Sequence, residues 1–328
     1  MTKLLNQKNK IAVLTSGGDA PGMNAALHTI ISIGVKYQYE VYVVKNGYQG
    51  LYQDQFQQIN PIDLPRILNI AGTFIGTSRF LPFQYEENIR QKCFQNLKKR
   101  NINFLIVIGG DGSYRGAQIL TNLGIPCIGI PATIDNDINE TDITLGFSTA
   151  VNTIVTSIEK LRDTSISHRR CTIVEVMGRN KGDLALYGGI ATKADLIITP
   201  ENFVDANTLI AYIQKFYKIK NQHAIIVVTE RLFDIYALAN KIEKEIGFET
   251  RAQILGYLQR GGNPTAEDLL LAIRMGTYAI LCRKKQNITG GISLKGNQLV
   301  CIPFEKIFDH QTKSDTFLLT LAKQTMLF

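Results

Sequence analysis

The stretch IAVLTSGGDAPGMNAA, from Ile11 to Ala26, joins an apolar run, a glycine-rich turn and a helix-prone segment. The apolar, β-branched run from Ile11 to Leu14 predicts a short strand, and the segment from Met23 predicts a helix. Glycine lets a backbone approach a phosphate closely, and a helix start offers free N–H donors there. The loop predicts either a phosphate-binding turn or an ordinary strand-to-helix connection, and by itself it favours neither.

The same order of elements recurs further along the chain. The clearest additional strands run from Phe104 to Ile108, from Thr172 to Val176 and from Ala224 to Val228. Continuous apolar strands between helix-like segments indicate mainly parallel sheets that helices cover. Ligands of such sheets bind beyond the carboxyl ends of the strands, so the loops that follow are the candidate site. With 328 residues the chain can bury more than one core, and we expect two domains.

Composition and charge narrow the class of protein. Hydrophobic residues make up 45% and charged residues 20%, which fits a globular chain and not a disordered or fibrous one. Apolar runs stay well below the roughly 18 residues of a membrane helix, and the first residues lack a signal-peptide core, so we expect a cytoplasmic protein. A net charge of +8 without a basic tail or nucleic-acid motif favours phosphorylated small molecules over nucleic acid or membrane.

Cysteine and histidine patterns argue against sulfur and nitrogen metal sites. The five cysteines are odd in number and far apart, which predicts reduced, buried thiols. The four histidines are equally scattered, so their spacing indicates neither a metal cluster nor a histidine-based catalytic pair. Any metal is therefore expected on oxygen ligands.

A second glycine-rich loop, IGGDGSYRGA, runs from Ile108 to Ala117. Its three leading glycines leave the backbone open, and Asp111 places a carboxylate where it suits a phosphate-bound magnesium ion. Ser113 can donate a hydrogen bond to a ligand or cap the next helix. Because lipid kinases and NAD kinases carry such a loop as well, it indicates nucleotide chemistry without fixing the class of kinase.

The third loop, PATIDND, runs from Pro131 to Asp137 and contains two carboxylates separated by one residue. In an extended segment Asp135 and Asp137 would face one side, where one could take a hydroxyl proton and the other help at a metal. An Asx-rich turn with solvated aspartates is the alternative for this loop alone. The presence of Asp111 favours the catalytic interpretation.

Transfer of a phosphoryl group also needs fixed positive charge. The planar guanidinium of arginine donates two hydrogen bonds to phosphate at once. A single arginine is usually a solvated surface residue, but several lie at strand and loop junctions here. These candidates are Arg79, Arg170, Arg179, Arg251 and Arg260.

Taken together, eight motifs resemble the bacterial ATP-dependent 6-phosphofructokinases. They occur in the family's order and near its spacing, from about Ile11 to past Gly276. The motifs are TSGGDAPGMNAA, GTFIGTSRF, IGGDGSYRGA, TIDND, LRDTSISHRR, VEVMGR, VVTER and LQRGG. An NAD or lipid kinase would explain GGDG alone, and a dehydrogenase would need a GxGxxG loop that the sequence lacks.

The resemblance implies an ATP site in which Asp111 is the Mg²⁺ residue. Asp135 matches the catalytic base, which would take the proton from the 1-hydroxyl of fructose 6-phosphate as that oxygen attacks the γ-phosphate of ATP in line. Arg79, Arg179 and Thr133 match residues that stabilise the transferring group. The matches to the nucleotide loops are Gly18, Arg79, Phe80, Gly110, Asp111, Gly112 and Ser113.

The resemblance also implies a sugar-phosphate site and an oligomer. Arg170 and Arg251 match residues that reach the 6-phosphate from a neighbouring subunit, so we expect a homo-oligomer, typically a tetramer. The matches within one subunit are Thr133, Ile134, Asp135, Met177, Gly178, Arg179, Glu230, Tyr257, Leu258, Gln259 and Arg260.

The implied fold has two Rossmann-like, three-layer α/β/α domains with mainly parallel sheets. We expect a larger ATP- and magnesium-binding domain made of residues 1–146 and 259–310. A smaller sugar-phosphate-binding domain would comprise residues 147–258 and 311–328.

Two departures concern the donor and the sugar phosphate. Pyrophosphate users of the family typically carry Asp and Lys where this chain has Gly112 and Ala132, so ATP is the expected donor and pyrophosphate the alternative. Tyr257 replaces the usual histidine beside the sugar phosphate; tyrosine can donate a hydrogen bond but has no positive charge near neutral pH. We expect somewhat weaker binding of the 6-phosphate.

A further departure concerns regulation. Relatives bind ADP or phosphoenolpyruvate at a separate basic site, and only Arg162 keeps its basic character among the matching positions, although Lys218 and Lys220 are nearby. The others are His28, Ser32, Pro61, Ile219 and Asn221. We expect a weak response to these effectors or none. A non-catalytic, nucleotide-sensing paralogue is the rival from another class, but it would be expected to lose Asp111, Asp135 or Arg179, and all three are present.

Overall fold

A computed structural model describes residues 9–220, 223–286, 288–309 and 316–325. The strands are β1 (Lys10–Ser16), β2 (Glu40–Val44), β3 (Phe56–Gln58), β4 (Ile102–Gly109), β5 (Cys127–Pro131), β6 (Cys171–Val176), β7 (Leu196–Ile198), β8 (Ala224–Thr229), β9 (Thr250–Ile254), β10 (Gly290–Lys295) and β11 (Gln298–Ile302). The helices are α1 (Met23–Lys36), α2 (Gly47–Tyr52), α3 (Pro82–Tyr85), α4 (Glu87–Lys99), α5 (Asp111–Asn122), α6 (Phe147–His168), α7 (Asp183–Ala191), α8 (Ala206–Lys220), α9 (Ile235–Ile246), α10 (Ala266–Gln286), α11 (Phe304–Phe308) and α12 (Thr316–Thr325).

The chain divides into two compact units. In its described part, the first unit comprises residues 9–133, 137–146 and 263–309, and the second comprises 134–136, 147–262 and 316–325, apart from the gaps stated above. The expected domain boundaries differ from this division at residues 134–136 and 259–262, because both short segments pack with the second unit. Which ligand each unit binds remains a prediction.

A seven-stranded sheet, in the order β11-β10-β5-β4-β1-β2-β3, forms the centre of the first unit. Its five central strands are parallel, and β3 and β11 add antiparallel edges. Strand β1 lies between β2 and β4, so the strand order reverses at β1, and the cleft beyond its carboxyl end is the expected ligand site of such a sheet.

Helices cover both faces of this sheet. Ala12 and Leu14 of β1 belong to a buried cluster with residues of α2, α4 and α5, such as Leu51, Leu97 and Leu120. On the other face α1 and α10 pack against each other. Side chains alternate along a strand, which is why one apolar strand can fill both cores.

The second unit has a four-stranded, fully parallel sheet in the order β7-β8-β6-β9. Ile173 and Ile226 of the two central strands pack in one cluster with Leu209 of α8 and Leu238 of α9. Helices α6 and α7 also contact the strands. The carboxyl ends of β6, β8 and β9 are neighbours, so their loops meet at one edge.

The α/β fold with mainly parallel sheets is confirmed. The four strands named from the sequence lie within β1, β4, β6 and β8. Among the described residues, no helix is both long and apolar enough to span a membrane. The cysteines are free thiols; four are buried and Cys301 is half-buried.

Candidate active site

The two glycine-rich loops of the first unit lie side by side. Ser16 at the end of β1 is in register with Gly109 at the end of β4. The Ser113 hydroxyl is buried and donates to the Ser16 carbonyl oxygen at 3.0 Å, and a Cβ on Gly109 would lie only 2.5 Å from that oxygen. Glycine is therefore required at 109, and the Ser113 side chain joins the two loops without capping α5.

The stretch that contains Arg79 runs along the first loop. Gly17, whose φ of 89° favours glycine, donates its N–H to the Ser78 carbonyl oxygen at 3.1 Å. The Thr77 hydroxyl donates to the Gly17 carbonyl oxygen at 2.9 Å. Arg79 is exposed, and the half-buried Phe80 ring lies 5.8 Å from that of Tyr52. The structure thus brings Arg79 and Phe80 to the loop that contains Gly18.

Asp111 is the first residue of α5, directly after Gly110. Its carboxylate is 38% exposed and pairs with Arg115, one helical turn on, at 2.9 Å. The Arg115 guanidinium also lies over the Phe308 ring, 4.4 Å from its centroid. Spacing of four residues on a helix places such charges together, and the sequence offered that signal for Arg115.

The side chains near Asp111 suit a Mg²⁺ ion that also binds water and phosphate oxygens. They do not suit a metal ion that protein side chains alone would coordinate. Within the described ranges, no group of three or more His, Cys, Asp or Glu side chains could hold an ion. Asp111 offers one accessible carboxylate, and Mg²⁺ in phosphate-transfer sites commonly takes one or two carboxylates plus water and phosphate oxygens. Asp111 would hold the ion only together with a nucleotide.

Thr133 belongs to the first unit and lies beside the second glycine loop. Its N–H donates to the Leu145 carbonyl oxygen at 3.1 Å, and its hydroxyl lies 3.4 Å from the Asp137 carboxylate. A Cβ on Gly110 would lie 3.6 Å from Thr133 Cβ, an ordinary contact. Strand β5, which precedes Thr133, is the neighbour of β4, and this pairing explains the proximity.

The segment Ile134–Asn136 packs with the second unit. Ile134 is 3% exposed, whereas Asp135 is half-buried. Asn136 has a φ of 50°, in the left-handed region. The expectation that Asp135 and Asp137 share one side of an extended segment is therefore wrong, since a left-handed residue between them breaks the two-residue alternation of a strand.

In the second unit, the loop after β6 contains Met177, Gly178 and Arg179. Gly178 has a φ of 138°, and a Cβ there would lie 2.4 Å from the Lys181 carbonyl oxygen, so the turn requires glycine. The Arg179 N–H donates to the Glu230 carboxylate at 2.9 Å. Four predicted sugar-phosphate positions, these three and Glu230, thus lie together at the carboxyl ends of β6 and β8.

A short 3-10 turn, Gly256–Arg260, follows β9. Gln259 is fully buried; it accepts a hydrogen bond from the Met177 N–H at 3.1 Å and donates to the Gly256 carbonyl oxygen at 2.9 Å. Its side chain therefore fixes this turn to the Met177 loop. Tyr257 and Leu258 are exposed, and the Arg260 guanidinium lies 5.1 Å from the Tyr257 ring centroid.

The two arginines expected to serve a neighbouring subunit meet at Glu249. Arg251 pairs with this carboxylate at 2.9 Å and with Glu243 at 3.3 Å. Arg170 lies 3.8 Å from Glu249 and donates to the Thr164 hydroxyl at 3.0 Å. Both guanidinium groups thus lie at the same edge of the second unit.

An acidic side chain that the sequence did not single out lies below this loop cluster. Burial raises the pKa of the Glu175 carboxyl above its usual range, and the nearby carboxylates of Glu230 and Asp234 raise it further. Glu175 is on β6, two residues before Met177. It lies within the VEVMGR motif, but no role was inferred for it from the sequence, because its environment comes from three separate parts of the chain.

The positions that match the effector site of relatives lie only partly in the described chain. His28 and Ser32 are half-buried on α1, and Pro61 begins a short 3-10 turn. Arg162 pairs with Glu159 at 3.4 Å and donates to the Thr192 carbonyl oxygen. Outside the described part lie Asn221 and the side chains of Lys218, Ile219 and Lys220.

Comparisons with known proteins agree on one family. The phosphofructokinase family model matches residues 10–282. An ATP-dependent 6-phosphofructokinase of Vibrio cholerae is 51% identical over 271 residues, which cover 83% of this chain and 84% of that protein. A protein of the same name from Photobacterium profundum is 52% identical over 272 residues, with the same coverage of each.

A solved structure agrees as well. Phosphofructokinase from Saccharomyces cerevisiae superposes with a TM-score of 0.84 at 30% identity over 97% of this chain. The present chain spans 48% of that yeast chain.

Proposed function

The chain belongs to the phosphofructokinase family, and we propose that it transfers the γ-phosphoryl group of ATP to the 1-hydroxyl of fructose 6-phosphate. The products are fructose 1,6-bisphosphate and ADP, which leaves as the γ-phosphoryl group is transferred, and the activity is that of a glycolytic phosphotransferase with an alcohol acceptor. One observation supports this most strongly: identity of about half, over most of the chain, to bacterial enzymes that use ATP.

The first unit offers the groups expected to bind ATP. Free N–H donors at the start of α5 and the glycine loop around Gly18 suit its phosphates, and the exposed Arg79 offers a guanidinium to the transferring group. Asp111 would hold Mg²⁺ against those phosphates. When bound, the ion neutralises charge that develops on the transferring group.

The second unit offers the groups expected to bind fructose 6-phosphate. Asp135 takes the proton from the 1-hydroxyl and holds it while that oxygen attacks the γ-phosphate. Arg179 stabilises the charge on the transferring group, and Glu230 accepts hydrogen bonds from sugar hydroxyls. Since Ile134 and Gln259 are buried, we assign them support through backbone and packing.

Gly112 favours ATP over pyrophosphate. It is the second residue of α5, and a Cβ there would meet only the Gln84 amide nitrogen, at 3.3 Å. The space beside this part of the helix is therefore open to a nucleotide. An aspartate at 112, typical of pyrophosphate users, would place a carboxylate in that space.

The shared 6-phosphate site requires a homo-oligomer, for which a tetramer is the expected form. Arg170 and Arg251 would reach the phosphate of a neighbouring subunit after leaving Glu249. Exposed apolar side chains of Ile254, Tyr257 and Leu258 border a groove beside α6, with a volume of about 820 Å³. Subunit contact would cover them. Size-exclusion chromatography with light scattering should give about four times the 36.6 kDa chain mass.

The decisive experiment compares the two donors. A coupled assay with fructose 6-phosphate should show activity with ATP and at least about 100-fold less with pyrophosphate. Asp135→Ala should lower kcat by several orders of magnitude, whereas Asp163→Ala, an exposed aspartate on α6, should stay near wild type. Equal turnover with both donors, or an active Asp135→Ala variant, would overturn this proposal.

A further inference from the structure

Residues 134–136 pack with the second unit although the chain on both sides belongs to the first. Something in the second unit must therefore hold this segment. Its last residue, Asn136, is only 5% exposed and has a φ of 50°. Asparagine tolerates the left-handed region better than most residues but still needs support from its surroundings to stay there.

Two charged side chains hold Asn136. The side-chain amide nitrogen of Asn136 donates to the Asp183 carboxylate at 2.9 Å. The backbone carbonyl oxygen of Asn136 accepts a hydrogen bond from the Lys181 ammonium at 2.7 Å. Lys181 and Asp183 pair with each other at 2.9 Å. The three residues form a closed ring that fixes both the side chain and the backbone of Asn136. We name it the Asn136 clamp.

The clamp is buried and its charges are compensated. The side chains of Lys181 and Asp183 are 14% and 8% exposed. Burial of an unpaired charge is costly, so each charge depends on the other. Asp183 is also the first residue of α7, where the positive end of the helix dipole favours a carboxylate. The ring is therefore a rigid, preorganised element.

The clamp continues directly into the loop that bears Arg179. The Lys181 N–H donates to the Gly178 carbonyl oxygen at 2.9 Å, which closes the turn Gly178–Lys181 around Arg179. Gly182, between the two clamp residues, donates its N–H to Glu201 at 3.0 Å. One short stretch thus presents Arg179 at its start and holds Asn136 at its end.

We propose that Lys181 and Asp183 are positioning residues that fix Asp135 through Asn136, at a set distance from the Arg179 loop. This inference rests on the proposed role of Asp135 as general base. Asn136 is bonded to Asp135, so a fixed Asn136 backbone determines where the preceding carboxylate lies. Misplacement of a reacting group by about 1 Å can cost about 100-fold in rate.

Substitution of either clamp charge tests this directly. Lys181→Met and Asp183→Asn should each lower kcat about 10- to 100-fold while KM for ATP stays within about 3-fold. Lys181→Arg, which keeps a cation for both partners, should recover most of the lost kcat. Matched controls are Lys193→Met, an exposed lysine after α7, and Asp205→Asn, an exposed aspartate before α8; both should stay near wild type.

Hydrogen exchange provides a readout that does not need activity. In both clamp variants the peptide that contains Asn136 should exchange at least about tenfold faster, with little change in the strands of the second unit. If Lys181→Met fails to fold, Asp183→Asn and Lys181→Arg provide the same comparison. An inactive wild type would defeat the proposed function, and exchange would still decide whether the clamp holds Asn136.

Two outcomes overturn the inference. In the first, kcat stays within about 2-fold of wild type and exchange around Asn136 is unchanged. In the second, the variants lose thermal stability but retain kcat at low temperature, which would make the ring a stabilising contact without influence on Asp135.

Discussion

At the residue scale, Tyr257 occupies the position that is expected to lie beside the sugar phosphate. Its side chain is 79% exposed, and the Arg260 guanidinium lies over its ring. A tyrosine offers the phosphate a hydrogen bond, whereas a histidine there could also carry a positive charge. The ring already contributes a cation–π contact to Arg260, so it positions that cation as well.

We predict that Tyr257→His lowers KM for fructose 6-phosphate by about 3- to 10-fold, because a charged hydrogen bond to phosphate is stronger than a neutral one. The effect should be larger at pH 6 than at pH 8, since histidine is protonated at the lower value. Initial-rate measurements at both values check this. Tyr236→His, an exposed tyrosine on α9, is the control. An unchanged KM would contradict the prediction.

A second residue-scale prediction concerns Gly112. Gly112→Asp should weaken ATP binding at least about tenfold, because its carboxylate would approach the nucleotide phosphates. The fold should tolerate it: a side chain meets only the flexible Gln84 amide, and an acid suits the start of α5. Calorimetric titration with ATP and a thermal melt check both parts. Gly112→Ala is the control, since it adds a side chain without a charge and so separates the steric effect on ATP binding from the electrostatic one. A large loss of thermal stability in Gly112→Asp would contradict the expectation that the fold tolerates this side chain.

The sequence singles out candidate residues but not the contacts that they make. Ser113 and Gln259 stand out in motifs, yet the Ser113 hydroxyl joins two loops and the Gln259 amide joins a turn to Met177. Lys181 and Asp183 carry no motif signal for their contact with Asn136, which is 45 or more residues away. Long-range partners of this kind depend on the fold and cannot be inferred from local pattern.

At the scale of elements, α5 supports the glycine loop that precedes it through close packing on Tyr48. A Cβ on Gly116 would lie 2.5 Å from the Tyr48 ring. The Tyr48 hydroxyl donates to the Ser113 carbonyl oxygen at 2.8 Å, and its ring stacks on Phe83 at 4.4 Å. Tyr48 therefore has little room to move.

We predict that Gly116→Ala destabilises the first unit by about 1–2 kcal/mol. Overpacking of a tight contact typically costs about 1–3 kcal/mol, and the better helix propensity of alanine offsets up to about 1 kcal/mol. Urea denaturation followed by circular dichroism measures the change. Gly112→Ala on the same helix is the control and should be neutral or slightly stabilising. Equal stability of the two variants would show that Tyr48 can yield.

The sequence predicted strands correctly where the strands are long and apolar. The predicted strand from Ile11 to Leu14 lies inside β1, and the one from Phe104 to Ile108 inside β4. The edge strands β3 and β11 gave no such signal, because they are short or partly exposed and pair antiparallel to the sheet. Their position depends on the neighbouring strand and not on their own periodicity.

At the scale of the whole molecule, we expect the response to the effectors of relatives to be weak, although the loops expected to carry catalysis are kept. The loops of the catalytic motifs are complete in both units. Arg162, the cation retained from the effector pattern, is 18% exposed and already interacts with Glu159 and the Thr192 carbonyl oxygen. A polyanion would have to displace these partners, and His28 and Ser32 offer no fixed positive charge in compensation.

We therefore predict that millimolar phosphoenolpyruvate shifts the half-saturating concentration of fructose 6-phosphate by less than about 2-fold, and that ADP does not reverse any shift. A site without most of its cations loses the charge-assisted hydrogen bonds that bind polyanions, each worth about 1.5–3 kcal/mol. Saturation curves at several effector concentrations measure this. Introducing cations with His28→Arg and Ser32→Arg should increase the response if these positions face an effector. A strongly sigmoidal wild-type curve that ADP restores would show that other cations bind the effector.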